Sequence, residues 1–298
     1  MSLAQDTPAQ DTPDKDTLAQ DTLARELEAF LEQRFGERIA VDPALEGLDR
    51  IDTIVKHRVI RRYSDRAVDP GLLRLVCACA LSAPSKSDLQ QRDIVIVENQ
   101  ETRKAIADLI PDMPFIGRAP CFLIFLANGR RLPALSELRN KPFANDHFDL
   151  LFNAVTDAAL ALATGVAAAE ALGLATCPIS VIRDHAAQIG EWLGLPERVI
   201  PLAGLCVGWP SDQGRMSPRL PLAMTLHRDR YDESQWVSQL EAYDRRRETI
   251  APFREQRDPA RFGAIPHYGW SEDKARQYAV SQRADFGAYL RARGFSMI

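Results

Sequence analysis

The feature that most constrains the fold is an apolar run at residues 148–172, which is apolar on nearly every side. About 20 apolar residues are enough for a helix to cross a membrane. In a membrane helix, however, lipid would have to accommodate four polar residues, Asn153, Thr156, Asp157 and Glu170. The run therefore predicts a core helix of a globular protein, buried by its own domain and by a partner subunit.

Three compact runs predict buried strands before and after this helix. They are residues 93–97, 121–126 and 202–208, each short, apolar and bounded by polar or turn residues. Upstream, Asp69 followed by Pro70 predicts a helix start, with Asp as the N-cap and Pro at the first helical position. Helices and strands alternate through residues 50–230, so the predicted fold class is α+β, with a sheet covered by helices.

The N-terminal region has a composition of its own. Residues 1–23 repeat the tetrad Ala-Gln-Asp-Thr and contain two prolines. This composition leaves little apolar surface to bury and predicts a disordered tail. From Leu23 onward, apolar residues at helical spacing predict an amphipathic helix. The expected organisation is a single domain over residues 24–298, with a charged helical extension at 232–298.

Charge and cysteine content narrow the class of partner. A net charge of -4 and a pI near 5.8 give no electrostatic footprint for nucleic acid or an anionic membrane, so a small molecule is the expected partner. The five cysteines include no CxxC pair and follow no secretory segment, which predicts buried, reduced thiols in the cytoplasm. No metal site is expected, because four histidines lack metal-ligand spacing: His147, His185, His227 and His267.

Two short segments carry polar groups suited to a phosphorylated cofactor. Residues 56–63 read KHRVIRRY, and residues 83–90 read APSKSDLQ. A cationic turn that contains histidine can bind a phosphate through charge-assisted hydrogen bonds, and a hydroxyl-rich turn can bind a polyol chain. A third segment is the run GLCVGWP at residues 204–210, followed by SPRLP at residues 217–221.

These segments resemble the FMN-dependent nitroreductases, and within them the oxygen-insensitive NADPH nitroreductases and flavin reductases. The similarity covers roughly residues 50–298, and the run GLCVGWP with SPRLP matches that group almost letter for letter. The resemblance implies a nitroreductase-like fold, with a mostly antiparallel central sheet covered by helices. It also implies an intertwined homodimer in which each of two FMN sites is built from both chains.

The resemblance also assigns site residues. The implied FMN contacts are His57, Arg58, Val59, Ile60, Arg61, Ser85, Ser87, Gln90, Met113, Pro178, Ile179, Ser180, Val181, Ser217, Pro218 and Arg219. Arg61 falls in the slot beside the flavin N1–O2 edge, where its charge would stabilise the reduced flavin. Arg283 falls in the slot of an arginine that contacts the 2′-phosphate of NADPH, and a guanidinium fork suits that group.

Four positions depart from the family pattern. Val59 replaces a serine, which removes one hydroxyl donor worth about 1 kcal/mol. Met113 replaces a glutamine that contacts the flavin ring, and Ser217 replaces a lysine. Ser180-Val181 replaces a Gly-Gly pair, so two side chains are expected to narrow the approach of a substrate. These departures predict weaker retention of FMN, without its loss.

The implied activity is electron transfer from NAD(P)H through FMN to nitroaromatic, quinone or flavin acceptors in a ping-pong reaction. The flavin carries the chemistry, so no catalytic side chain is expected. Flavin reduction and flavin-dependent cleavage of a specialised substrate remain open within the same fold. A different class is also open: an FMN-binding carrier or regulatory protein without turnover, which Val59, Ser217 and the filled Gly-Gly positions suggest.

Overall fold

The computed structural model describes residues 15–298. The helices are α1 Lys15–Phe35, α2 Leu48–Val55, α3 Pro70–Leu81, α4 Gln100–Asp108, α5 Phe115–Arg118, α6 Arg131–Leu138, α7 Phe148–Ala171, α8 Ala186–Trp192, α9 Leu222–Thr225, α10 Trp236–Ile250, α11 Pro259–Phe262, α12 Trp270–Tyr278 and α13 Phe286–Ala292. The strands are β1 Arg92–Ile96, β2 Cys121–Asn128, β3 Ala175–Ile179 and β4 Val199–Gly208. Two short 3-10 turns cover Lys86–Asp88 and Val181–His185.

The chain forms two compact units. The first contains residues up to Lys56 together with Ser217–Asp273, and the second contains His57–Met216 and Lys274–Ile298. The helical extension expected at 232–298 is therefore shared between them. A single domain over residues 24–298 stays a prediction.

In the first unit, helix α1 begins earlier than the sequence suggested. It starts at Lys15, two residues after the last proline of the repeat, so residues 15–23 of the predicted disordered tail are helical. Ala, Gln and Leu in this stretch are strong helix formers, and proline is the residue that would have interrupted them. The rest of that predicted tail, residues 1–14, lies outside the described residues. On α1, Leu27 is fully buried against Leu48 of α2.

The second unit is built on an antiparallel sheet with the strand order β1-β2-β4-β3. The three predicted strand runs fall within β1, β2 and β4, which confirms the α+β class. Close packing between the central strands requires a glycine, because a Cβ atom at Gly204 would lie 2.6 Å from the ring of Phe122. Sequence reasoning did not predict β3, which contains Pro178. This strand lies at the sheet edge, where a missing backbone N–H is tolerated.

Helix α7 is the predicted core helix and packs against α3 and the sheet. A Cβ atom at Gly165 would lie 3.1 Å from Ala80 of α3 and 3.3 Å from Phe125 of β2, so this contact leaves room for little more than a hydrogen atom. The helix is long and apolar enough to cross a membrane, but 44% of its apolar window is buried inside the protein. Its other face exposes Phe148, Phe152 and Leu160.

The predicted start of α3 is confirmed. The Asp69 side chain accepts a hydrogen bond from the backbone N–H of Leu72 at 3.0 Å, and Pro70 occupies the first helical position. This N-cap satisfies one of the backbone donors that a helix start leaves free. Helix α3 ends at Leu81, directly before the APSKSDLQ segment, so the cap fixes where that segment begins.

Candidate active site

The KHRVIRRY segment is tied down at both ends of its cationic turn. The carboxylate of Glu170, at the end of α7, lies 2.9 Å from Nδ1 of His57 through both oxygens. The Ile60 N–H donates to the carbonyl of Thr176 in β3 at 3.1 Å. The Thr176 hydroxyl in turn donates to Glu170 at 2.7 Å. Residues 57–60 are therefore held against one helix end and one strand.

The segment continues beside the end of β4. Tyr63 forms a β-bridge with Pro210, and its hydroxyl donates to the Ile60 carbonyl at 3.0 Å. Burial raises the pKa of Tyr63, and the nearby thiols of Cys206 and Cys177 raise it further. Gly214 has a φ of +63°, and a Cβ atom there would lie 2.9 Å from Ile60 and 3.2 Å from the Val59 carbonyl. The backbone of this segment is thus enclosed on two sides.

Two arginines of this segment offer permanent charge. Arg58 is half-buried, and no carboxylate of residues 18–298 pairs with it. Arg61 is exposed and lies over the Phe115 ring, 5.7 Å from the ring centre. Burial raises the pKa of the Cys177 thiol, and the adjacent Arg61 guanidinium opposes that rise. Arg61 therefore brings the cationic segment together with β3 and with the loop that contains Met113.

The APSKSDLQ turn is organised by a buried carboxylate. Asp157 of α7 accepts from the Ser85 hydroxyl at 2.7 Å, from Lys86 N–H at 3.1 Å and from Gln91 N–H at 2.8 Å. The Asp157 side chain is 1% exposed, and its ion-pair partner Arg92, at 3.5 Å, is 5% exposed. A carboxylate this deeply buried requires such a set of partners.

This network limits what Ser85 can do for a ligand. Its one hydroxyl proton goes to Asp157, and its oxygen accepts from Gln90 N–H at 2.7 Å. A hydroxyl has one donor and two acceptor positions. In this conformation Ser85 can therefore accept one further hydrogen bond, from a ribityl hydroxyl for example, but it cannot donate to a phosphate oxygen.

The same turn contains three residues in the left-handed backbone region. Ser87, Asp88 and Gln90 have φ angles of 48°, 57° and 52°, although none is a glycine. This conformation costs roughly 1–2 kcal/mol per residue. The side chain of Gln90 donates to Asp88 at 3.0 Å, and Arg131 donates to the Gln90 carbonyl. Ser87 and Gln90 remain exposed on the outside of the turn.

The remaining predicted residues of the second unit lie on or beside its core. Val59, Met113 and Val181 pack against one buried apolar cluster. Ile179 is 2% exposed and belongs to that cluster, so only its backbone is available to a ligand. Of the two side chains that replace Gly-Gly, only that of Ser180 is exposed. Pro178 is exposed as well.

Residues 217–219 belong to the first unit. The Pro218 carbonyl accepts from the Tyr243 hydroxyl at 3.1 Å, and Arg219 N–H donates to the Arg34 carbonyl at 2.7 Å. The Arg219 side chain is exposed, and it donates to the Ser217 carbonyl at 3.3 Å. The assignment of these residues to the flavin phosphate stays a prediction.

Arg283 forms an ion pair with Asp184 at 2.8 Å. Its side chain is 21% exposed, and its backbone is left-handed, with a φ of 53°. Burial lowers the pKa of the neighbouring Arg183, and the charge of Arg283 lowers it further. Contact with an NADPH phosphate, which stays a prediction, would require Arg283 to exchange Asp184 for the phosphate.

Sequence reasoning missed the residues that hold the site in place. Asp157 and Glu170 entered only as polar residues that argue against a membrane helix. A usable signal was present, because carboxylates within an apolar core helix require hydrogen-bond donors from neighbouring segments. Phe115 and Thr176 gave no comparable signal. Among residues 18–298, no cluster of His, Cys, Asp and Glu could hold a metal ion.

Comparisons with known proteins agree with this geometry. Residues 54–209 match the nitroreductase family, and residues 217–298 match the C-terminal domain of that family. The chain is 33% identical over 251 residues to an FMN reductase [NAD(P)H] of Bacillus subtilis, which covers 83% of this chain and 98% of that protein. It is also 27% identical over 246 residues to an NADPH-flavin oxidoreductase of Vibrio harveyi, with 83% and 98% coverage.

Solved structures show the same fold. NfrA2 of B. megaterium matches with a TM-score of 0.76 and 33% identity, over 84% of this chain and 99% of that one. The helix-covered antiparallel sheet is therefore the nitroreductase-like fold that the resemblance implied. Together with the match over more than half of the sequence, this shows that the chain belongs to the nitroreductase family.

Proposed function

We propose that this protein is an FMN-dependent NAD(P)H oxidoreductase that passes electrons to small acceptors such as nitroaromatics, quinones or flavins. The observation that carries the proposal is the cationic segment, where Arg58 and Arg61 lie three residues apart on an anchored backbone. Relatives named FMN reductase, NADPH-flavin oxidoreductase and NADPH nitroreductase support it.

The residues present fit an FMN molecule. Arg58 has no carboxylate partner among the described residues, so its charge is available for a phosphate dianion, which forms strong charge-assisted hydrogen bonds. Arg61 is fixed by Phe115 and would hold its positive charge at the N1–O2 edge of the flavin. Bound FMN would supply the hydride-accepting and hydride-donating chemistry.

Apolar residues would form the floor of the ring site. Val59, Met113 and Val181 pack against the core cluster and would keep water from the side of the ring that faces the protein. An apolar thioether such as Met113 packs well against an aromatic system. Because Val181 is directed toward the core, we expect Ser180 to be the main residue that narrows the approach of an acceptor.

The protein is further proposed to act as a homodimer in which each site uses both chains. Thirteen positions separate Asp157 from Glu170 on α7, so the two anchored segments are about 20 Å apart along the helix axis. In a dimer, the turn at 85–90 of one chain can approach the segment at 57–61 of its partner. The exposed face of α7, with Phe148, Phe152 and Leu160, provides an apolar surface for such an interface.

We propose a cytoplasmic location. All five cysteines are free thiols, and Cys177 and Cys206 are buried. Free thiols are typical of a reducing compartment. Cys77, Cys79 and Cys121 are only half-buried, so the expectation that all five are buried was too strong.

A reduction assay tests the proposed function. The purified protein should retain a flavin whose visible absorbance is bleached by NADPH and restored by a quinone or a nitroaromatic. Arg58→Ala should weaken FMN binding about tenfold or more, because it removes a hydrogen bond to a charged group. Arg62→Ala is the matched control, since Arg62 is 80% exposed and only 3.8 Å from Asp212.

Two outcomes would contradict the proposal. A protein that binds no flavin would exclude an FMN enzyme. A bound flavin that NADPH never bleaches would favour the alternative of a carrier or regulatory protein. The assignment of Arg219 has its own test, because Arg219→Ala with full FMN occupancy after dialysis would remove this residue from the phosphate site.

A further inference from the structure

We propose that two carboxylates of helix α7, Asp157 and Glu170, are positioning residues for the two flavin-binding segments. This inference rests on the proposed function. Neither carboxylate is offered as a ligand of FMN. Each acts through hydrogen bonds from one segment, Glu170 on residues 57–60 and Asp157 on residues 85–92.

Glu170 closes a ring of contacts around the cationic turn. A carboxylate only accepts hydrogen bonds, so the Glu170 contact requires a proton on Nδ1 of His57 and fixes the orientation of the imidazole. Thr176 holds Glu170 with its hydroxyl and Ile60 with its carbonyl. Arg58 lies between the two fixed positions. Its guanidinium therefore leaves from a backbone that is restrained on both sides.

Asp157 holds the second segment in a conformation that the sequence does not favour. Three non-glycine residues of the turn are left-handed, and an isolated turn would relax to ordinary backbone angles. Asp157 fixes the beginning of the turn through Ser85 and Lys86 and its end through Gln91. Exposed Ser87 and Gln90 are thereby presented on a rigid loop.

Stability alone does not explain charges at these positions. A buried ion pair is often no better for stability than well-packed apolar residues of similar volume. An apolar core helix such as α7 would be a good scaffold with leucine at both positions. What a carboxylate adds is a fixed geometry of hydrogen-bond donors, and here all the donors to Asp157 come from the flavin segment. The chemistry therefore points to pre-organisation of the FMN site.

The test uses Glu170→Ala and Glu170→Gln, with Asp146→Ala as the control. Asp146 pairs with Arg198 at 2.8 Å and is 42% exposed, away from both segments. Amide hydrogen exchange is measured on the FMN-free protein, and FMN affinity is measured by titration. Glu170→Ala should speed exchange at residues 57–63, leave residues 85–92 unchanged and weaken FMN binding about tenfold or more.

Glu170→Gln should recover part of the affinity, because the amide keeps one acceptor oxygen. The KM for NADPH should be unchanged in every variant that still binds FMN. Asp157→Asn should give the opposite exchange pattern, with faster exchange at residues 85–92 only. If Asp157→Asn does not fold, the Glu170 variants still decide the question.

The results separate this inference from the proposed function. A wild-type protein that binds no FMN overturns the proposed function and the flavin part of this inference, whereas the exchange pattern still shows whether the carboxylates order the segments. If wild type binds FMN, unchanged exchange at 57–63 or unchanged FMN affinity in Glu170→Ala overturns the positioning role. Equal losses in Asp146→Ala would overturn it too.

Discussion

Asp157 and Glu170 lie on the same helix, and each receives hydrogen bonds from one polar segment, but the two contacts differ in depth. The Asp157 side chain is 1% exposed and is neutralised by an arginine that is 5% exposed. The Glu170 side chain is 14% exposed, and its partner His57 is 27% exposed. Burial removes solvent screening, so the Asp157 contact contributes to folding as well as to the site, while the Glu170 contact contributes mainly to the site.

A third carboxylate extends the comparison toward the surface. Asp184 is 41% exposed and pairs with Arg283, which is 21% exposed. Exposed pairs are screened by water and salt and contribute little to stability. The three carboxylates thus form a series in which depth sets the cost of removal, and in which the same chemical group passes from structural to functional importance.

The largest effect is expected for Asp157→Ala. It leaves the Arg92 charge buried without its partner and leaves three donors of the 85–91 segment without an acceptor. Breaking a buried pair in this way costs about 3–5 kcal/mol of unfolding free energy. Urea denaturation of the FMN-free protein measures it. Asp146→Ala should cost only about 0–1 kcal/mol, and similar losses in the two variants would remove burial as the basis of the series.

Ser85→Ala should have the next largest effect on stability. It deletes the donor at 2.7 Å from Asp157 and the acceptor for Gln90 N–H. A hydrogen bond to a charged group contributes about 1.5–3 kcal/mol. Ser87→Ala is the matched control, because this exposed serine in the same turn should change the unfolding free energy by less than about 0.5 kcal/mol. A larger loss for Ser87→Ala than for Ser85→Ala would refute the assigned network.

The sequence predicted most of the scaffold, because its signals there are local. The helix at 148–172, the N-cap at Asp69 and three of the four strands depend on periodicity and capping, which neighbouring residues determine. The segments KHRVIRRY and APSKSDLQ were also identifiable, since their polar residues are contiguous. The family resemblance joined them into one functional hypothesis that local patterns alone did not supply.

What the sequence did not predict is long-range pairing. Glu170 lies 113 residues from His57, and Asp157 lies 72 residues from Ser85. Only the folded sheet and helix bring those atoms together. Ser85 shows the consequence, because its match to a family contact gave no sign that Asp157 takes its proton. Strand β3 was missed for a related reason, since the role of Pro178 depends on its place at a sheet edge.

Thr176→Val isolates the smaller effect expected at the half-exposed contact. Valine is similar in shape and keeps the carbonyl that accepts from Ile60 N–H, but it loses the hydroxyl that donates to Glu170. A typical hydrogen bond contributes about 1 kcal/mol, so FMN affinity should fall about fivefold. Thr176→Ser keeps the hydroxyl and should bind FMN as wild type does. Equal affinities for the valine and serine variants would show that Thr176 acts only through its backbone.

The smallest effect is expected at the surface end of the series, in Asp184→Asn. If Arg283 binds the 2′-phosphate of NADPH, it must first leave Asp184, and an exposed pair of this kind is worth about 0–1 kcal/mol. Removing the carboxylate charge should therefore lower the KM for NADPH by up to about fivefold, with the KM for NADH unchanged because NADH has no phosphate there. Steady-state kinetics with both nucleotides measures this. Arg283→Ala should abolish the preference for NADPH, and in that background Asp184→Asn should have no further effect. A change of equal size for both nucleotides in Asp184→Asn would place Arg283 outside the nucleotide site and leave the ion pair as a surface contact.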